Sequence, residues 1–288
     1  MGEPSTSVPS VELRGGVKMP QLGLGVFQVP PQDTARITAD AIAAGYRSID
    51  TAAAYQNESG VGEAIARCGI DRGDLFVTTK LPNTDHGHAE ALTRFDASLR
   101  ALGVDYVDLY LIHWPVPAHD RYVETWRALI EIADSGRARA IGVSNFNIDH
   151  LERIIDETGV IPVLNQVELH PGFTQSELRE VHKRHGIVTE SWSPLAQAFP
   201  ALMEHPAITA AGAAHGKSAA QVILRWHVQL GCVVIPKASS PERLAENIDV
   251  FDFELTAAEM SAIDAIDVVG RTGGDPAIFV NQPEHSDD

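Results

Sequence analysis

Short apolar runs alternate along this chain with longer segments in which apolar residues recur every three or four positions. Short runs of this kind are typical of strands buried on both faces, and the longer segments are typical of amphipathic helices. The predicted strands are QLGLGV, YRSID, LFVTTK, YVDLYLIH, ARAIGVS, VLNQVEL, IVTESW and CVVIP. The predicted helices span residues 31–44, 58–67, 88–102, 121–135, 148–157, 175–185, 218–229 and 241–247.

The order of these elements predicts how the strands are arranged. Eight strands, each followed by a helix, favour a closed (β/α)8 barrel of the α/β class, a TIM barrel. An open doubly wound sheet is the weaker alternative, because GLGVF contains only part of a GxGxxG loop and opens no helix directly. A β-hairpin is predicted ahead of the barrel, over residues 11–13 and 17–19 around Gly15 and Gly16.

Domain organisation follows from the absence of a dividing segment. No linker rich in Pro, Gly or Ser interrupts the chain. We therefore expect one domain over residues 1–288, with its core at about 11–280 and a short C-terminal loop.

Composition restricts the classes of partner. The chain has 44% hydrophobic residues and a formal net charge of −17, and its mean hydropathy is −0.06. No apolar run approaches the roughly 18 residues of a membrane-spanning helix, and the N-terminus lacks the features of a secretory signal, so a cytoplasmic location is expected. The negative charge argues against nucleic-acid and anionic-membrane partners, and any phosphate ligand needs a local group of cations. No long apolar stripe requires a partner chain, which favours a monomer.

Four polar residues lie at or just past the ends of predicted strands: Asp50, Tyr55, Lys80 and His113. The carboxyl ends of barrel strands meet at one mouth, so these side chains are expected to lie together. A phenol is a weak acid with a pKa of about 10, a nearby ammonium favours its ionised form, and a carboxylate holds that ammonium. With an imidazole beside them, the four residues predict a site that polarises a carbonyl group and protonates it.

Five longer segments make the chain recognisable. They resemble the aldo-keto reductase family, and the resemblance extends from about Val11 to Val280. The tryptophan in SWSPL and the short tail place it nearest the bacterial branch that includes 2,5-diketo-D-gluconate reductases. The segments are GYRSIDTAAAYQNE (Gly45 to Glu58), TTKL (Thr78 to Leu81), LGVDYVDLYLIHWP (Leu102 to Pro115), IGVSNF (Ile141 to Phe146) and IPKASSPERLAEN (Ile235 to Asn247).

The resemblance implies an enzyme that reduces aldehydes or ketones, dicarbonyls and keto-sugars among them, to alcohols with NADPH. In the family a tyrosine donates the proton while the nicotinamide delivers hydride, which places the proton donor at Tyr55. Lys80 is expected to lower the pKa of the phenol, Asp50 to hold Lys80, and His113 to orient the substrate oxygen. The chemistry agrees, since hydride addition creates an alkoxide that needs an acid and a hydrogen-bond donor.

Cofactor contacts are also implied by the resemblance. Ser144, Asn145 and Gln166 match the residues that bind the nicotinamide carboxamide, and Trp192 matches the aromatic that stacks on the ring. The remaining matches concern the pyrophosphate (Ser193, Leu195), the 2′-phosphate (Lys237, Arg243, with Ser239 and Ser240 as substitutes) and the adenine (Glu246, Asn247).

One departure bears on NADPH preference. The family motif usually reads IPKS, and Ala238 here removes one hydroxyl donor. Loss of one hydrogen bond to a charged group costs about 1.5 to 3 kcal/mol. We therefore expect a reduced preference for NADPH over NADH that Ser239 or Ser240 partly restores.

The substrate pocket is predicted from aromatic residues that follow strand ends, namely Phe27 and Trp114. Pro82 stands where many relatives carry a tryptophan, which indicates a wider or reshaped wall. The tail RTGGDPAIFV contains Ile278 and Phe279, which are expected to close on the substrate.

Two other classes of protein stay open. A barrel of this family can be a nicotinamide-binding regulatory subunit with weak turnover, because such a protein keeps the cofactor residues. A barrel glycosidase needs two carboxylates across a sugar, for which Asp50, Glu168 and Glu190 are the candidates. Metal or serine hydrolase chemistry is not expected, since HExxH and GxSxG are absent and the HxH of His86 and His88 has no third ligand nearby.

Overall fold

A hairpin precedes the barrel and closes its base. In the computed structural model, which describes residues 8–280, strands β1 (Ser10–Glu12) and β2 (Lys18–Pro20) pair antiparallel. Gly15 and Gly16 make the turn with φ angles of 91° and 83°, which non-glycine residues rarely adopt. The predicted hairpin is therefore confirmed, with its strands displaced by one residue.

Eight parallel strands form the barrel wall. Each pairs with the next in chain order, as the TIM-barrel prediction requires. The bounds are β3 (Leu24–Gly25), β4 (Ser48–Asp50), β5 (Phe76–Leu81), β6 (Val107–Ile112), β7 (Ala138–Ser144), β8 (Leu164–Glu168), β9 (Val188–Trp192) and β10 (Val233–Val234).

The sheet closes between its first and last strands. The amide of Val234 donates to the carbonyl of Gln21 at 3.0 Å, and the amide of Gly23 donates to the carbonyl of Val234 at 2.9 Å. Gly25 continues the contact by donating to the carbonyl of Pro236 at 3.2 Å. These bonds make the sheet a closed barrel, and the open doubly wound alternative is wrong.

Helices surround the barrel, and the eight predicted ones are present with bounds that agree within one residue. The predicted helices are α1 (Pro31–Ala43), α2 (Glu58–Arg67), α3 (His88–Leu102), α4 (Tyr122–Asp134), α5 (Ile148–Thr158), α6 (Ser176–His185), α9 (Ala219–Gln229) and α10 (Pro241–Ile248). Three further helices are α7 (Pro200–Met203) and α8 (Pro206–His215), which lie between α6 and α9, and α11 (Ala257–Asp264), which follows α10.

Three helices, α7, α8 and α11, are present in addition to the eight that the sequence predicts. The helix α7 is a single turn, while α8 and α11 are rich in alanine. Alanine favours a helix without marking one face as apolar, so the pattern on which the other predictions depend is absent.

Two clusters of buried apolar residues hold these layers together. The larger lies between the strands and the helices. The smaller fills the base of the barrel, where Leu13 and Met19 of the hairpin pack with the strand residues Leu109, Leu111 and Val233. The hairpin thus plugs one end and leaves the carboxyl ends of the strands as the mouth. None of the helices within residues 8–280 is long and apolar enough to span a membrane.

Candidate active site

The four polar residues predicted from the strand ends come together at the mouth. Asp50 ends β4, Lys80 is the second-last residue of β5, and Tyr55 ends a short 3-10 helix, Ala53–Tyr55, that follows β4. The Lys80 Nζ atom lies 2.5 Å from Asp50 Oδ1 and 3.4 Å from the Tyr55 hydroxyl. His113 directly follows β6, and its ring centroid is 5.6 Å from that of Tyr55.

The ammonium of Lys80 is fully buried and surrounded by oxygen atoms. Besides Asp50 and Tyr55 it donates to the carbonyl of Thr51 at 2.9 Å, so three acceptors match its three donors. Burial lowers the pKa of Lys80, but Asp50 and Tyr55 raise it by more, and the net shift is upward. Lys80 is therefore a fixed positive charge beside the phenol.

The pKa of Tyr55 depends more on burial than on the charge of Lys80. Burial raises it, the charge of Lys80 acts in the opposite direction, and the net shift is upward. The reason is that Lys80 is already paired with Asp50, so it compensates only part of the cost of placing a phenolate in this buried position. Tyr55 accordingly holds its proton at neutral pH, as a proton donor must before the reaction begins.

His113 is neutral at the same pH. Burial, and after it the charge of Lys80, lowers the pKa of His113 well below its usual value. A neutral imidazole carries one N–H donor, which suits it to bind an oxygen without competing with Tyr55 for the proton.

Side-chain contacts fix the turn that carries Tyr55. The Thr51 hydroxyl donates to Asn57 Oδ1 at 2.8 Å, and the Asn57 amide donates to the carbonyl of Val26 at 2.9 Å. The Phe27 ring lies beside Tyr55, with centroids 5.1 Å apart. The turn that presents Tyr55 is thus tied to the loop that presents Phe27.

Gln166 connects the lysine site to a second buried carboxyl group. Its Nε2 atom donates to Asp50 Oδ2 and to Glu190 Oε2, both at 2.8 Å. Burial, and after it the charge of Asp50, raises the pKa of Glu190 to about 8. The cofactor predictions omit Glu190, although a glutamate inside the apolar strand IVTESW is a visible signal of a special environment.

The residues matched to the nicotinamide form one chain of hydrogen bonds. Ser144 donates to the carbonyl of Gln166 at 2.9 Å, and the Asn145 amide donates to Ser144 Oγ and to the carbonyl of His113, both at 3.0 Å. The indole of Trp192 donates to Asn145 Oδ1 at 2.8 Å. The structure therefore brings these predicted residues together, directly beside His113.

The segment after β9 has an unusual backbone. Ser193, Ala196, Gln197 and Ala198 have φ angles of 50°, 47°, 56° and 57°, which are uncommon for residues with a Cβ atom. Ser193 and Leu195, the pyrophosphate matches, are half-buried. Strained backbone of this kind concentrates at ligand-binding segments, so the geometry is compatible with that match.

The predicted phosphate site lies at the start of α10. Ser240 caps this helix by accepting a hydrogen bond from the amide of Arg243, and a helix N-terminus carries partial positive charge. Lys237, Ser239 and Arg243 are exposed, whereas Ala238 is buried. Two cations and a capped helix start fit an anionic group such as a 2′-phosphate. Glu246 is half-buried and Asn247 is buried further along the same helix.

Aromatic residues form one wall of the mouth. The rings of Trp114 and Phe279 stack with centroids 4.0 Å apart and an interplanar angle of 28°. The buried indole N–H of Trp114 has no hydrogen-bond partner within residues 8–280. Of the two tail residues expected at the site, Phe279 is therefore packed against the wall, whereas Ile278 is 76% exposed.

All three mouth carboxyl groups are already engaged. Asp50 binds Lys80 and Gln166, Glu190 binds Gln166, and Glu168 accepts hydrogen bonds from the backbone amides of Thr272 and Gly273. A glycosidase needs its pair free to face a sugar, so this arrangement disfavours that class. Among the described residues, no group of three or more His, Cys, Asp or Glu side chains is placed to hold a metal ion.

The closed barrel with a lysine, a carboxylate, a phenol and an imidazole at its mouth defines a barrel oxidoreductase. The model of the aldo/keto reductase family matches residues 19–268, so the chain belongs to that family. It is an NADP-dependent oxidoreductase.

Several relatives support the same assignment. The chain is 52% identical over 271 residues to an aldo-keto reductase of Mycolicibacterium smegmatis, covering 94% of this chain and 98% of the relative. It is 49% identical over 270 residues to the methylglyoxal reductase DkgA of Escherichia coli, covering 93% and 97%. The crystal structure of a Gox0644 mutant in complex with NADPH superposes with a TM-score of 0.89 at 46% identity, covering 95% and 99%.

Proposed function

We propose that this protein reduces the carbonyl group of small aldehydes, ketones and dicarbonyls with NADPH, and that Tyr55 donates the proton. One observation carries the proposal: the hydroxyl of a protonated tyrosine lies 3.4 Å from a buried ammonium, beside a neutral histidine. That combination suits a reaction in which an oxygen gains negative charge and then a proton.

The site residues bind the substrate oxygen and transfer a proton to it. The Tyr55 hydroxyl and the His113 N–H both donate to the substrate oxygen and so polarise the carbonyl. Bound NADPH supplies the hydride for the carbonyl carbon. As the oxygen becomes an alkoxide, Tyr55 gives up its proton, and Lys80, held by Asp50, stabilises the tyrosinate that remains. The upward shift in the pKa of Tyr55 keeps the proton in place until that charge develops.

We assign the cofactor to the second half of the barrel. The nicotinamide end lies with Ser144, Asn145, Gln166 and Trp192, whose hydrogen bonds adjoin His113. The residues assigned to the remainder of the cofactor are Ser193, Leu195, Lys237, Ser239, Ser240, Arg243, Glu246 and Asn247.

The substrate class follows from the wall of the mouth and from the relatives. The Phe27 ring lies beside Tyr55, and Trp114, which directly follows His113, stacks on Phe279. The buried indole N–H of Trp114, which has no partner within residues 8–280, can donate to a second substrate oxygen. The relative DkgA is a methylglyoxal reductase. Small dicarbonyls such as methylglyoxal are therefore the proposed substrates, with keto-sugars of the 2,5-diketo-D-gluconate type as the next class. We further propose a single-domain monomer that acts in the cytoplasm.

The test is steady-state oxidation of NADPH with methylglyoxal and a panel of aldehydes and keto-sugars. We expect Tyr55→Phe to lower turnover by about 10²- to 10⁴-fold, the usual contribution of a general acid, while NADPH affinity stays unchanged. Tyr106→Phe, which changes a half-buried tyrosine stacked on Arg72 ahead of β6, is the control. Wild-type turnover in Tyr55→Phe would remove Tyr55 from this role. NADPH binding without any turnover would favour a regulatory subunit.

A further inference from the structure

The carboxylate of Glu168 holds the C-terminal segment of the described chain. Residues 269–280, here named the C-terminal strap, cross the mouth of the barrel. The Thr272 amide and hydroxyl donate to Glu168 Oε1 at 2.5 and 2.6 Å, and the Gly273 amide donates to Oε2 at 2.9 Å. These contacts join residues more than 100 positions apart, at the end of β8 and near the end of the described chain.

Glu168 needs these donors. Its side chain is 1% exposed, and the His170 Nε2 atom lies 3.2 Å from its Oε1 atom. Burial raises the pKa of Glu168, but the hydrogen bonds from His170, Thr272 and Gly273 lower it by more. A buried carboxylate without donors is costly, so the strap stabilises the charge and the charge fixes the strap.

The fixed strap reaches two aromatic residues of the site. Gly273 lies so close to Trp192 that a Cβ atom there would be 2.4 Å from the indole Cη2 atom. Further along, Phe279 stacks on Trp114, and the carbonyl of Val280 accepts a hydrogen bond from the Asn83 amide at 3.2 Å. The strap is thus attached at Glu168 on one side of the mouth and at Asn83 on the other.

We propose that Glu168 is a positioning residue for substrate specificity: by holding Thr272 and Gly273 it sets Phe279 on Trp114 and so forms the aromatic wall of the carbonyl pocket. The inference rests on the proposed function for the location of the substrate. Glu168 itself touches none of the reacting atoms. Its effect falls on carbonyl compounds that contact the wall, and aromatic aldehydes are the class that depends on it most.

The kinetic test uses Glu168→Ala with methylglyoxal and 4-nitrobenzaldehyde. Loss of the stacked wall is expected to raise KM for 4-nitrobenzaldehyde by about 3- to 10-fold, the range for one aromatic contact. We expect a smaller change for methylglyoxal, and little change in kcat or in NADPH affinity. Phe279→Ala should reproduce the result, and the double variant should add little to it, because both changes remove one interaction.

Glu259 offers a matched control in the same chain. Its carboxylate also accepts from the amide and hydroxyl of a threonine, Thr256, and also pairs with a histidine, His215, but it caps α11. Glu259→Ala therefore removes a similar set of contacts elsewhere in the fold, without the additional backbone donor that Gly273 gives to Glu168. An equal KM change in both variants would overturn the specificity role.

Limited trypsin cleavage after Arg271 reports on the strap without activity. In the wild type Arg271 stacks on Phe173 at 4.8 Å and donates to the carbonyl of Gly274. Glu168→Ala is expected to accelerate cleavage at this residue, and the milder Thr272→Val, which keeps the backbone donor, should do so less. If Glu168→Ala does not fold, Thr272→Val supplies both measurements.

The outcomes separate the two proposals. Faster cleavage with unchanged KM would overturn the specificity role, and unchanged cleavage would overturn the attachment by Glu168. Absence of carbonyl turnover in the wild type would overturn the proposed function and the specificity role with it, whatever the cleavage rate.

Discussion

The two ends of the barrel treat a buried charge differently. At the base, the carboxylate of Asp108 on β6 is fully buried and accepts from the amide of Val77 at 2.9 Å. Arg72 and Arg139 pair with it at 2.8 and 2.9 Å, and their side chains are 20% and 45% exposed. Both oxygens of this carboxylate are therefore paired.

At the mouth, the compensation is incomplete. Lys80 has Asp50 at 2.5 Å, but the Tyr55 hydroxyl is 3.4 Å away, which is long for a hydrogen bond. The Trp114 N–H and Glu190 Oε1 are buried without any partner among the residues described. The carboxylate at the base thus has its partners within the fold, whereas the mouth keeps polar groups that a ligand can satisfy.

The largest effect is expected from Lys80→Met, which should lower both stability and turnover, whereas a change at the base should lower stability alone. Asp50 then loses its partner in a buried site, which costs about 3–5 kcal/mol of unfolding free energy, and loss of the charge beside Tyr55 lowers turnover by about 10²-fold or more. Chemical denaturation and NADPH oxidation measure the two effects. Lys183→Met, at an exposed position of α6, is the control. Loss of stability with normal turnover would mean that Lys80 has the same role as the charges at the base.

Asp108→Ala tests whether the buried charge at the base affects stability without affecting turnover. The variant leaves Arg72 with a buried Nε atom and no carboxylate, and we expect a loss of about 3–5 kcal/mol in unfolding free energy. Turnover of the folded protein should stay near that of the wild type, because Asp108 lies at the base. Denaturation and turnover are compared with those of Asp105→Ala, an exposed carboxylate nearby. A selective fall in kcat would break the division between base and mouth.

A smaller effect is expected from Arg243→Ala at the cofactor side of the mouth. Loss of one charged contact of about 1.5–3 kcal/mol corresponds to about 10- to 150-fold weaker NADPH binding. NADH binding should change little, since NADH has no 2′-phosphate. Fluorescence titration of both cofactors measures the difference, with Arg184→Ala on the exposed face of α6 as the control. Equal losses for both cofactors would mean that another residue binds the 2′-phosphate.

The last prediction concerns the pH dependence of stability. The folded protein holds a proton on Glu190 with a pKa of about 8, whereas the unfolded chain releases it near the ordinary value of 4.5. Stability from this group is therefore present at low pH and is lost as the pH rises from about 4.5 to 8. One pH unit within this window corresponds to about 1.4 kcal/mol, so the melting temperature of the wild type relative to Glu190→Gln should fall by about 3–5 °C per pH unit. A constant difference would show that Glu190 ionises at an ordinary pKa.

The sequence predicts the repeating parts of the fold well. Eight helices and their strands follow from local apolar periodicity, and the helix bounds agree because glycines such as Gly103 and Gly186 end the helices in left-handed conformations. The first and last barrel strands, β3 and β10, are shorter than predicted, with two residues each. The four polar residues at the strand ends meet for the same reason, since parallel strands point their carboxyl ends one way. The single-turn helix α7 and the alanine-rich helices α8 and α11, among the described residues, do not show this pattern.

The pKa values of the site residues depend on the assembled structure and not on the local sequence alone. The sequence indicates that Lys80 stands near Tyr55, yet the pKa of Tyr55 shifts upward because burial outweighs that charge. Glu190 becomes a protonated acid because burial in the closed barrel, and after it the charge of Asp50, raises its pKa by more than the hydrogen bond from Gln166 lowers it. The extent to which a side chain is buried depends on the assembled core, so a short sequence motif does not reveal the shift in its pKa.

By itself, the sequence determined the barrel, the family and the side chains that gather at the mouth, because each depends on short-range periodicity or on residues within a motif. Tertiary structure alone decided that Glu168 binds Thr272 and Gly273 and that Phe279 stacks on Trp114. These contacts join segments more than 100 positions apart, and their partners are chosen by the closure of the barrel rather than by any local pattern.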